Sequence, residues 1–221
     1  MKRIPLARRV LPEYTRGEEI MNMVTHIAGG AMGLLAAVLC ILKSRSIPAL
    51  VGAAIYGVSI VCLYCMSSIY HGLKPGMGKK VMQVIDHCTI YFLIAGTYTP
   101  ILLSGFLPVY PGICWGLLGM EWGLCLLAAT LTAIDLKKYS IFSMICYIGM
   151  GWGIIFFLPQ ARQVLTGPGF GWLLAGGIAY TVGAVLYGIG SRRPWFHSVF
   201  HIFVVLGSLF QAIAIYGWAI S

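Results

Sequence analysis

The chain has 221 residues, 59% of them hydrophobic and only 10% charged, with a formal net charge of +9 and a mean hydropathy of +0.88. Soluble domains carry about 25% charged residues, so a single soluble domain is excluded. The positive charge reads as membrane orientation and attraction to anionic headgroups, and it requires no nucleic-acid partner.

The chain opens with a short basic arm, 1–19, in which Pro5 and Pro12 argue against one long amphipathic helix. No cleavable leader is expected, because the first apolar stretch is longer than a usual signal core. A single domain, 20–221, then carries seven apolar stretches at 20–42, 49–70, 82–104, 112–134, 140–159, 170–190 and 195–220. Each is long enough to span a bilayer, which takes about 20 apolar residues. The breaks "KSRSIP", "GLKPGMGKK", "GFLPVYPG", "DLKKY", "QARQVLTGPG" and "SRRP" are charged or rich in Pro and Gly.

Lys2, Arg3, Arg8, Arg9 and Arg16 lie in the arm. Lys74, Lys79, Lys80, Lys137, Lys138, Arg192 and Arg193 lie in the second, fourth and sixth connections. These are twelve of the fifteen Lys and Arg residues, all on one side; only Lys43, Arg45 and Arg162 fall on the other. The bias predicts an all-α seven-transmembrane helix bundle in the cell membrane, N-terminus cytoplasmic and C-terminus outside.

Gly29/Gly33, Gly119/Gly123 and Gly149/Gly153 repeat at four-residue spacing, which predicts close helix–helix approach. Cys62 and Cys65 form a C-x-x-C inside an apolar stretch without a second pair, so core packing is expected of them. Glu121 is an intramembrane carboxylate. It is expected either to line a cavity or carry a proton, or to be protonated and bonded to a neighbouring helix.

The heptapeptide "WFHSVFH" places His197 and His201 at i and i+4, on one helical face one turn apart. Under the predicted topology His26, His71, His87, His197 and His201 all fall in the cytoplasmic third. His71 lies at the depth of the pair, and three histidines with an open position form a common catalytic zinc pattern. The fourth position would hold a water, with Asp86 as general base and Ser67, one turn from His71, as a donor. The bland alternative has these groups snorkelling or pairing locally, with Asp86 bridging to Lys79 or Lys80. His87 points about 100° away from Asp86 and is expected to be structural.

"EEIMNMVTHIAGG", "SSIYHG", "IDHCTIYFLIAGTYTP" and "HSVFHIFVVLG" together resemble the hemolysin III proteins. These are the bacterial branch of the progestin and adipoQ receptor family, which includes the adiponectin receptors. The resemblance implies a seven-helix bundle with zinc near the cytoplasmic face. It implies His71, His197 and His201 as metal ligands, Asp86 as the acid beside the zinc water, and Ser67 as the serine of S-x-x-x-H. Glu19, Asn22, Thr25 and His26 match the helix-one pattern, for which structural support of the site is expected. Alkaline ceramidase relatives suggest zinc-assisted hydrolysis of a lipid amide or ester, with a membrane lipid as substrate or ligand. Two other readings stand beside it: a cytolytic pore or channel, and a receptor-like regulator of membrane state with structural zinc. Hormone reception is not expected, because the outer connections are short and no long N-terminal domain precedes the bundle.

Overall fold

The computed structural model describes residues 5–190 and 193–220. Lys2, Arg3 and Arg192 of the charge count, and Ser221 at the end of the predicted domain, lie outside the described residues. The described chain is all-helical: α1 (Arg16–Lys43), α2 (Ile47–Gly72), α3 (Met77–Pro100), α4 (Pro111–Ile134), α5 (Ser140–Gly151), α6 (Leu158–Gly190) and α7 (Phe196–Ala214). Two of them run on into π-turns, α3 into Ile101–Phe106 and α7 into Ile215–Ala219.

Local chemistry sets the starts. Thr15 and Glu18 form a capping box before α1, the hydroxyl accepting from Glu18 N and the carboxylate from Thr15 N. Ser46 caps α2, with Pro48 in its first turn, and Pro111 opens α4. Between Pro5 and Thr15 the arm forms only a single turn of 3-10 helix, Leu6–Arg8. It is stitched to the bundle by Lys80 Nζ donating to Ala7 O (2.6 Å) and Arg9 Nη2 donating to Ile134 O (3.0 Å).

Among the described residues six stretches are long and apolar enough to cross a membrane: Arg16–Lys43, Ile47–Gly72, Met77–Phe106, Pro111–Ile134, Ser140–Gly190 and Phe196–Ala219. Five of the predicted stretches each match one of these. The fifth and sixth, 140–159 and 170–190, fall together in Ser140–Gly190. Helix α5 ends early, at Gly151, followed by a 3-10 segment Gly153–Phe157. The connection "QARQVLTGPG" is helical apart from Thr166 (φ 57°, ψ 178°). Pro159 sits in the first turn of α6, where its missing N–H is no loss. Ala161 and Leu165 are fully buried, so packing overrides the polar look of the segment. Thr166, β-branched at positive φ, is a strained break after which the helix resumes with Pro168 in its first turn.

Helices α1, α2 and α3 pack side by side, α3 also contacts α4 and α5, α6 packs along α7, and α7 closes back on α1. An 18-residue window of Met77–Phe106 is 78% buried, the highest share of any span among the described residues, which makes α3 the central helix. Its approach to α2 depends on missing side chains: a Cβ at Gly52 would lie 2.7 Å from Pro100 Cα, and one at Gly96 2.1 Å from Ser59 Oγ. Pro100 Cα is backbone and cannot rotate aside. Gly52→Ala is therefore expected to destabilise the bundle by about 1–3 kcal/mol, despite alanine's better helix propensity. A lower melting temperature in detergent checks this; an unchanged one would show that the contact relaxes freely.

The glycine pairs behave unequally. Gly29 and Gly33 meet Tyr64 and Ile60 of α2, as close packing requires, and Gly153 lies against Glu121. A Cβ at Gly119, Gly123 or Gly149 would meet nothing within 4 Å, so those positions hold no helix interface here. Glu121 is 0% exposed, yet neither carboxylate oxygen has a hydrogen-bond partner among the described residues. Of the two alternatives expected of it, the bond to a neighbouring helix is absent from them.

Candidate metal centre

The last turn of α2 and the first two turns of α7 meet at the arm end of the bundle. Helix α7 begins at Trp195, which is left-handed (φ 66°) and offers no side-chain cap. Its backbone N–H donates instead to Glu18 Oε1 (2.6 Å), so the carboxylate that caps α1 also ties down the start of α7. Trp195 packs over Gly17, where a Cβ would lie 3.2 Å from its ring. This double use of Glu18 fixes where His197 and His201 stand relative to α1 and α2.

The three histidines converge through their Nε2 atoms. His197 Nε2 lies 3.4 Å from His71 Nε2 and 3.1 Å from His201 Nε2. Zinc–imidazole bonds of about 2.0–2.1 Å in a tetrahedron require nitrogens about 3.3 Å apart. Both separations match that spacing. His71 and His201 are buried and His197 partly so. Imidazole nitrogens this close share either a proton or a cation, and three of them converging in a largely buried site form a donor set that fits a metal ion.

The other predicted residues stand close by. Ser67 and Asp86 both line an apolar cavity of about 170 Å³ that His197 and His201 also line. The alternative pairing of Asp86 with a lysine is not made. Lys79 goes to Glu19 Oε1 (2.7 Å) and Leu73 O (3.0 Å), and Lys80 goes to the arm. His87 Nδ1 donates to Gln83 O (2.8 Å), with Asp86 Oδ2 at 3.6 Å, and His87 stays outside the metal-capable group, as its helical angle predicts.

Three features escaped the reading of motifs. His71 Nδ1 lies 2.6 Å from Glu19 Oε2, a partner matched in the sequence only as part of a pattern. Tyr14 stacks on His197 (4.8 Å between centroids, 14° between planes) and closes the arm end of the site. Burial, and after it the neighbouring Tyr70, pushes the Tyr14 hydroxyl's pKa upward, so it stays protonated. His26 stacks on His201 at 3.8 Å, and neither of its ring nitrogens has a hydrogen-bond partner among the described residues. A tyrosine in a proline-rich arm and an acid in a first helical turn have ordinary local explanations, so neither carries a signal by itself.

The cavity follows α3 from Asp86 to Ile101 and α7 from His197 to Gln211. Both spans are about 21–22 Å at 1.5 Å per residue. Past the histidines its walls are mostly apolar, aliphatic and aromatic, with polar groups from Thr97, Tyr98, Trp152, Tyr180, Thr181 and Gln211. Gln211 Nε2 is already committed to Leu173 O (3.1 Å). The arrangement is a polar, metal-capable head on a long apolar slot.

Residues 14–212 match the family described as Haemolysin-III related. The chain is 37% identical over 194 residues to hemolysin-3 of Bacillus cereus, covering 86% of this chain and 87% of that protein. It is 35% identical over 198 residues to a hemolysin-3 homolog of Bacillus subtilis (strain 168), covering 88% and 91%. Similarity extends to the monocyte to macrophage differentiation factor of Homo sapiens, 26% identical over 175 residues, covering 74% and 68%.

Proposed function

The chain belongs to the haemolysin-III related family, and from that premise we propose that it is a seven-span membrane protein whose His71, His197 and His201 hold zinc for hydrolysis of a lipid amide or ester. The observation that carries this reading is the convergence of three Nε2 atoms, 3.1 and 3.4 Å apart, at the head of an apolar cavity. Seven spans result when Ser140–Phe157 and α6 are counted separately. The first is 18 residues long, about 27 Å. The charge bias puts the arm, and with it the histidine site, on the cytoplasmic side.

Three imidazoles with one position left over suit zinc, which when bound supplies Lewis acidity and a water activated near neutral pH. The chain's own residues provide the rest. The slot takes the acyl chain and holds the scissile carbonyl beside the histidines. Asp86 accepts a proton from the attacking water and returns it to the leaving nitrogen or oxygen, so the products are a free fatty acid and an amine or alcohol. Ser67, on the same cavity wall, donates to that carboxylate and holds it in line. The apolar walls exclude bulk water from the reaction.

The test is metal analysis of detergent-purified protein, followed by incubation with long-chain lipid amides and esters and mass spectrometry of released fatty acid. About one zinc per chain and chelator-sensitive release are expected. Folded protein without zinc would sink the reading. The names of the two Bacillus relatives favour a second one, cytolysis. It predicts dye leakage from liposomes without lipid turnover.

A further inference from the structure

Among the three metal-capable histidines, His71 is distinguished by what holds its far side. Its Nδ1 lies 2.6 Å from Glu19 Oε2, whereas His197 Nδ1 has no hydrogen-bond partner among the described residues. A carboxylate can only accept, so Nδ1 of His71 carries a proton, and in the neutral ring that a metal requires the lone pair sits on Nε2. That is the nitrogen 3.4 Å from His197 Nε2. Glu19 is held in turn: its Oε1 accepts from Lys79 Nζ (2.7 Å), and the same ammonium donates to Leu73 O (3.0 Å) at the end of α2. Lys79 is 3% exposed and lies 5.1 Å from the Tyr70 ring centroid. A buried ammonium is tolerated only when paired. Glu19 stands in the first turn of α1, where the helix dipole also favours a carboxylate. The contact thus joins the starts of α1 and α3 to the last turn of α2.

We propose that Glu19 and Lys79 are positioning residues for the metal site: Glu19 locks His71 in the tautomer that presents Nε2 to the ion, and Lys79 locks Glu19. This rests on the metal reading above. A carboxylate on the far nitrogen of a ligating imidazole fixes the ring and makes it a better donor. Loss of such a partner typically costs about 10–100-fold in metal affinity.

The experiment compares wild type, Glu19→Gln, Lys79→Met and the double variant. It measures zinc affinity by chelator competition, the absorption bands of the cobalt-substituted protein, and the melting temperature of the apo-protein. Glu19→Gln is expected to weaken zinc about 10–100-fold and to shift the cobalt bands, because the donor strength of His71 has changed. It also strands Lys79 as an unpaired buried charge, so its apo-protein melts lower. The double variant removes that charge and should recover melting temperature without recovering zinc affinity. A purely structural role predicts the opposite, with both recovering together. Wild-type affinity and cobalt bands in the double variant would overturn the proposal while leaving the metal centre in place. A folded wild type that binds no metal would overturn both.

Discussion

Replacing His197 by alanine is expected to leave the purified protein folded and without zinc. Its Nε2 lies between the other two, 3.4 Å from His71 and 3.1 Å from His201, so removing it leaves a pair that no longer closes a coordination face. Loss of a partner outside the ligand set already costs about 10–100-fold, so loss of a direct ligand should exceed about 100-fold. Alanine at His201 should lose zinc as completely, but it also removes the ring on which His26 stacks at 3.8 Å. His197 is partly exposed, but its ring stacks on Tyr14, so its variant needs the same stability control. Metal content beside the melting temperature of the apo-protein separates the two effects. Zinc retained at wild-type stoichiometry in His197→Ala would show that the three histidines are not the site.

The second large effect is expected at Asp86. Asparagine keeps the volume, so the cavity and the histidines stay in place. It cannot accept a proton at neutral pH. Zinc content is expected to hold, while turnover of a lipid amide falls by about 10²–10⁴-fold, the usual contribution of general acid–base catalysis. The loss should appear in kcat with little change in KM, since the substrate's chain is bound by the slot. Zinc lost together with activity would make Asp86 a ligand rather than a base. Full activity with zinc retained would remove it from the chemistry.

Much of the site was legible because its markers are local. His197 and His201 share a face by helical periodicity alone, and Ser67 and His71 do the same one helix away. The depth of His71 and Asp86 followed from counting residues from charged ends. Glu19 could be placed only at a helix start, because its partners His71 and Lys79 are 52 and 60 residues away. The alternative pairing of Asp86 with Lys79 or Lys80 is not made, and the sequence could not exclude it for the same reason. Once α1 docks, Glu19 lies nearer to the ammonium and claims it.

Reach across lipid was equally legible for the stretches that match a single helix. Long apolar runs must satisfy their backbone groups internally, and helices do so without neighbours. Rotation of each helix about its axis was not legible. Lipid tails are as apolar as leucine, so hydropathy does not mark which face meets protein. Gly29 and Gly33 therefore pack against α2, while Gly119 and Gly123, at the same spacing, meet nothing within 4 Å. The segment "QARQVLTGPG" looked like a connection by composition, and burial of Ala161 and Leu165 made it helix.

The sequence by itself determined the membrane class, the shared face of His197 and His201, and the family, because each depends on residues within a few turns of one another or on a pattern carried along the chain. Only the tertiary structure decided that three Nε2 atoms meet, that Glu19 stands behind His71, and that a long apolar slot opens beneath them. Those depend on helix register and rotation, which close packing of side chains from distant segments selects and no local pattern encodes.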